Sequence, residues 1–201
     1  SAVILFLLLS GMAVYPVMQQ EPTAFRKQLA RQGTGEAWQC FCKWFCGFAC
    51  MGLFCGITWI VLKIAGVLFP EAAKAVSAMI SGGGSGFHVG VKIGMVMLIV
   101  TTVSAFSYFI YSLSGGRTGA VLLIFLLSVI MIYLSGGFIP SVFLPGAVQA
   151  VGEILPTSYL IRAAGGVLTG YHADIYKQCA IGMCGYTAMF AVAAYLLRRR
   201  D

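Results

Sequence analysis

Long apolar runs separated by short polar stretches set the plan of this chain. Five runs are long enough and poor enough in charge to be read as membrane spans: residues 2–17, 45–69, 91–113, 119–134 and 179–197. Their apolar positions are continuous, which predicts helices, because barrel strands alternate over short stretches. Between the fourth and fifth runs lies SGGFIPSVFLPGAVQAVGEILPTSYLIRAAGGVLTG, residues 135–170, which is equally apolar but cut by Pro140, Pro145 and Pro156. A proline removes a backbone donor and clashes with the preceding turn, so the pieces are too short to cross and the segment is expected to bend back within one leaflet. The expected fold is an all-α polytopic membrane protein forming one domain over residues 1–201. It has five transmembrane helices and a broken re-entrant helical hairpin, residues 140–170, before the last span.

Composition strengthens this reading. With 60% hydrophobic residues, 9% charged residues and a mean hydropathy of +0.92 over 201 residues, the chain has too little polar surface for a soluble fold. The formal charge of +7 is therefore a matter of position along the spans and not a sign of nucleic acid, which is not expected as a partner. With the first run entering the cytoplasm, the inside regions hold Arg26, Lys27, Arg31, Lys43, Arg117, Arg198, Arg199 and Arg200. The outside loops hold Lys74, Arg162 and Lys177. That asymmetry follows the positive-inside rule and places the C-terminus in the cytoplasm. Lys63 and Lys92 lie within or beside spans, where long stems snorkel to the interface. Apolar residues begin directly after Ser1 without a basic leader or a cleavage site, so Ser1 is read as a cut edge with at least one earlier span missing.

The region 18–44 carries charge, turns and helix signals together. Thr23 is placed to cap a short helix after Pro22, with Phe25 and Leu29 on one face and Arg26, Lys27 and Arg31 elsewhere; Gly33 to Gly35 then end it. Glu36 opens a second helix that enters the membrane, with Trp38 and Trp44 at the depth where indoles partition. Two readings fit this region: an interfacial anchor, or a docking surface for a cytoplasmic partner.

Other motifs change the picture less. Cys42, Cys46 and Cys50 recur every four residues, and small apolar side chains at that spacing suit helix packing better than metal binding, since His88 and His172 are assigned to the other side of the membrane. SGGGSG at residues 81–86 lacks the Gly-Lys-Ser/Thr ending of a phosphate loop, so no ATP site is expected in this chain. Ser104, Ala105 and Ser107 are small enough for close helix contact. Glu153 and Arg162 are the two charges inside the broken segment, flanking Pro156 and the expected helix cap Thr157; they either pair or line a pathway.

The order of these parts resembles the ABC-2 family of ABC transporter permeases, membrane subunits of bacterial exporters. The resemblance covers almost the whole chain. It rests on the basic segment with Glu21, Arg26, Arg31 and Gly33, on the pair of spans around residues 112–119, and on Ser135, Gly136, Pro140, Pro145, Pro156, Thr157, Tyr159, Arg162 and Gly165 before the last span. It implies a bacterial inner-membrane permease, here lacking its first span, that dimerises with a second copy or a homologue and docks a separate cassette ATPase. By the same resemblance, Glu21, Phe25, Arg26, Lys27, Leu29, Arg31, Gly33 and Glu36 form the coupling segment. Pro140, Pro145, Glu153, Pro156, Tyr159 and Arg162 form the outer hairpin. ATP and Mg are expected on the partner and no cofactor, metal or catalytic residue in this chain. Two other classes remain open at this point: a membrane scaffold that binds lipid or another subunit, and a redox protein using the cysteine face.

Overall fold

The computed structural model describes residue 8 and residues 36–68, 89–114, 117–139, 143–169 and 173–198. These form six helices: α1 (Glu36–Leu68), α2 (Val89–Ser114), α3 (Arg117–Leu134), α4 (Gly146–Ile154), α5 (Pro156–Thr169) and α6 (Ala173–Arg198). The described residues contain no strand. Three helices are long and apolar enough to cross a membrane, through Trp38–Ile57, Gly90–Ser114 and Ile175–Leu197. This is the build of an integral membrane protein. The fourth expected span forms a shorter apolar helix, Gly119–Leu134. The first, residues 2–17, lies outside the described residues except for Leu8, which is helical and buried.

α2 is the central element, packed against α1, α3, α5 and α6. Its middle is buried almost all round: Ile99, Val100, Thr102, Val103, Ser104, Ala105, Phe106, Ser107 and Tyr108 are all sheltered. The expected close packing at Ser104, Ala105 and Ser107 is present, since short side chains let neighbouring backbones approach. α6 meets α2 along one stripe, Tyr176, Cys179, Met183, Phe190 and Ala194, whose spacing of three or four residues (Thr187 filling the one longer step) keeps them on one face. The Thr102 and Thr187 hydroxyls are 3.0 Å apart, and Phe106 packs edge-on to Phe190 one turn further along both helices. The two spans therefore run parallel.

A chain that goes down α2 and down α6 must return between them, and it does so in two pieces. α3 leads back from the end of α2 and stops at Ser135; Met131 near its end shares a small cleft with Thr102, midway along α2. α5 begins at the same cleft, through Pro156 and Thr157, and ends with Gly166 beside Met95 and Ile175, near the N-terminal ends of α2 and α6. With 14 residues α5 is about 21 Å long, and α4 with 9 residues about 14 Å. Neither reaches the roughly 30 Å of a bilayer core. The expectation that prolines leave pieces too short to cross is met.

Local chemistry explains where these helices stop. α3 ends in a Schellman motif: Gly137 N–H donates to the Ile132 carbonyl at 2.9 Å and Gly136 N–H to that of Tyr133 at 3.2 Å. Gly136 holds φ of 76°, which glycine adopts without a Cβ penalty. Gly137 has no room for a side chain, because a Cβ there would lie 2.5 Å from the Ile132 methyl carbon. Pro145 starts α4, accepting from the amides of Val148 and Gln149. Leu155 is extended at φ −66° and ψ 143°, as expected of a residue before proline, and Pro156 takes the first position of α5, where no amide is needed.

The structure revises two expectations. Thr157 is not a cap; it is the second residue of α5, and its hydroxyl reaches across to α3. The cysteine stripe does not pack inside: Cys42, Cys46 and Cys50 are exposed on α1. The cause is that α1 meets α2 through another face, with Met51 fully buried and Trp44 and Phe48 packed on the core. Trp44 accordingly turns its indole inward while Trp38 remains 62% exposed.

Candidate functional site

The break between α4 and α5 collects several polar contacts that join separate helices. Tyr186, midway along α6, donates its hydroxyl to the Ile154 carbonyl at the end of α4. Ser135 and Thr157 share a short hydrogen bond, and Thr157 Oγ1 donates to the Met131 carbonyl at 3.0 Å. Ser158 Oγ lies within donating distance of the Leu155 and Glu153 carbonyls, at 2.8 and 3.0 Å, and its amide donates to Leu155 at 3.0 Å. These contacts satisfy carbonyls that the helix ends leave without intrahelical partners. Two close approaches fix the surroundings. Gly152 lies directly against the Leu134 carbonyl, and Gly182 of α6 lies against the Tyr159 ring, which a Cβ would meet at 2.7 Å.

Of the residues expected at this segment, Pro140 lies outside the described residues. Pro145 is exposed and Pro156 buried. Tyr159 is half-buried, its ring 5.9 Å from that of Tyr186. Glu153 Oε1 and Arg162 Nη2 are 3.7 Å apart, with 60% and 53% of the two side chains exposed. Pairing is thus present but loose and wet, and such a pair contributes at most about 1 kcal/mol. Next to it, an open-sided cavity of about 520 Å³ is lined by Tyr159, Ile161, Arg162, Gly165, Ile175, Gln178 and Cys179.

Of the expected coupling segment, Glu36 is the first residue of α1, as its helix-opening role requires. Glu21, Phe25, Arg26, Lys27, Leu29, Arg31 and Gly33 lie outside the described residues. No group of three or more histidine, cysteine or acidic residues able to hold a metal ion occurs among the described residues, and the seven cysteines are free thiols.

Sequence reasoning missed Tyr186, Gly182, Ser135 as a partner of Thr157, and Gln178. A signal existed for three of them. Gly182 and Tyr186 are four residues apart and so share a helix face, and Gln178 is a lone amide at the start of an apolar run. No family model, curated protein or solved structure matches this chain.

Proposed function

We propose that this chain is the permease subunit of an ATP-binding cassette exporter of the ABC-2 type. The observation that carries the reading is the broken helix pair α4–α5, whose tip at Leu155 and Pro156 lies beside the midpoints of two parallel spans. Irregular backbone at such depth is tolerated where it is packed in protein or lines a pathway, and broken helices recur at transport sites. In this reading residues 2–17 supply a further span and α3 another, which makes five, and residues 140–170 are a re-entrant hairpin at the outer mouth. Two copies, or this chain and a homologue, enclose the pathway in a bacterial inner membrane with the C-terminus in the cytoplasm.

The mechanism is that of a two-state membrane element. ATP binding closes the cassettes of the partner, which moves the basic segment around Arg26 and Arg31, tilts the spans and opens the outer face. Hydrolysis resets it. Glu153 and Arg162, loose and solvated, are the charged groups placed to meet cargo on its way out.

The test is capture of the tagged full-length chain from native membranes in mild detergent. An ATPase subunit that co-purifies, and whose hydrolysis responds to the permease, supports the reading. Recovery without any ATPase, together with undisturbed export, favours the scaffold reading in its place. Recovery with bound haem or metal favours the redox one.

A further inference from the structure

The cavity beside Arg162 has a chemistry of its own. Its lining joins one cation, Arg162, and one amide, Gln178, to apolar walls from Ile161 and Ile175. The guanidinium carries five donors, and its described ionic partner Glu153 stands 3.7 Å from one nitrogen, beyond hydrogen-bond reach. The fork therefore retains donors for a second, bidentate anion, and phosphate matches that geometry. Depth along the spans supports an amphiphile. Ile175 opens the apolar stretch of α6 and Gln178 follows one turn inside it, so Arg162 stands just within the hydrocarbon region, where its long side chain reaches up to the headgroups. From there the exposed face of α6 continues down past Ile181, which is 74% exposed. A free phosphate would leave those apolar walls uncovered, whereas a phospholipid covers both parts. The volume of about 520 Å³ accommodates a headgroup and the start of its chains.

We propose that the cleft between α5 and α6 binds an anionic phospholipid, with its phosphate on Arg162 and its proximal chain against Ile161 and the Tyr159 ring. Glu153 then acts as the competitor: its carboxylate occupies Arg162 when the lipid is absent and repels the headgroup as it approaches. The proposal concerns retention of lipid and stands apart from transport or an ATPase.

Native mass spectrometry of the full-length protein, exchanged into detergent with phosphatidylglycerol or phosphatidylcholine, tests it. Phosphatidylglycerol should be retained about tenfold more strongly, because phosphatidylcholine brings the same phosphate together with a trimethylammonium that the guanidinium repels. Arg162→Gln should remove that preference, Arg162→Lys should keep part of it, and Glu153→Gln should increase it. Lys177→Gln, at an exposed cation next to Gln178 but outside the lining, should leave it in place. Equal retention of the two lipids by the unaltered protein overturns the proposal. So does an unchanged preference in a helical, folded Arg162→Gln protein, or an equal loss with Lys177→Gln, which reports diffuse attraction only. Protection against heat by inorganic phosphate as strong as that by phosphatidylglycerol also overturns it, in favour of a free anion.

Discussion

The Tyr186 hydroxyl donates to the Ile154 carbonyl, so the middle of a membrane-spanning helix satisfies the end of a helix 32 residues earlier in the chain. The same Tyr186 ring packs on Tyr159 and Phe190, which ties α4, α5 and the core of α6 to one side chain. Tyr186→Phe keeps the ring and removes the bond. Thermal unfolding in detergent should show a loss of about 1 kcal/mol, the usual scale for an interhelical hydrogen bond in a membrane protein. Tyr159→Phe, which leaves that bond intact, provides the comparison.

Two glycines of α6 should respond oppositely to the same change. At Gly182 the Tyr159 ring stands 2.7 Å from a new Cβ, whereas at Gly185 nothing lies within 4 Å. Gly182→Ala should destabilise by about 1–3 kcal/mol through overpacking. Gly185→Ala should be neutral or gain up to about 1 kcal/mol, because alanine is the better helix former. Parallel melting curves of the two variants decide it.

Thr157 links α5 to α3 through Ser135 and the Met131 carbonyl. Thr157→Val preserves shape and removes the hydroxyl, leaving buried polar groups with one partner fewer. A loss of about 1–2 kcal/mol is expected, with most of it restored by Thr157→Ser. Protease sensitivity at the α4–α5 break should rise in the first variant and not in the second.

Replacing Cys42, Cys46 and Cys50 together by alanine should change stability by no more than about 0.5 kcal/mol, since all three are exposed on α1. Elemental analysis should find no metal lost. Folded protein that has lost export activity would assign chemistry to the stripe.

In the permease reading, coupling to an ATPase depends on the basic segment after the first run. Reversing Arg26 and Arg31 to Glu should weaken ATPase association and export about tenfold or more while leaving membrane insertion intact. Association and export at unaltered levels would place the docking surface elsewhere. Glu153→Ala and Glu153→Leu should both slow export if the charge meets cargo; unimpaired export in both removes Glu153 from the pathway.

Legibility in the sequence followed the range of the forces involved. The apolar helices at residues 91–113 and 119–134 were readable to within two residues, because hydropathy and the flanking Gly and Ser are local. So was the break at Pro156, since proline acts on its own neighbours. The start of α1 was legible from Glu36, yet its apolar stretch begins at Trp38, seven residues before the expected span, because aromatic residues there stack along the helix as Trp38–Phe41 and Phe41–Phe45 do. What the sequence withheld was partnership. Thr157 looks like a cap from its place after a proline, and only the return of α3 to its side turns it into a crosslink. The cysteine face likewise has a helical period that says nothing about which side meets α2.

The enclosure of α2 also has a temporal meaning. Its Thr102 and Phe106 are sheltered only once α6 lies alongside, yet synthesis delivers α2 well before α6. At ordinary translation rates the interval is on the order of ten seconds. During it the face of α2 around Thr102 and Phe106 lacks its partner, with the Thr102 hydroxyl turned to the insertion machinery or lipid. Completion of α6 is thus the step that covers this face of α2, and a chain stopped short of Thr187 leaves that face open.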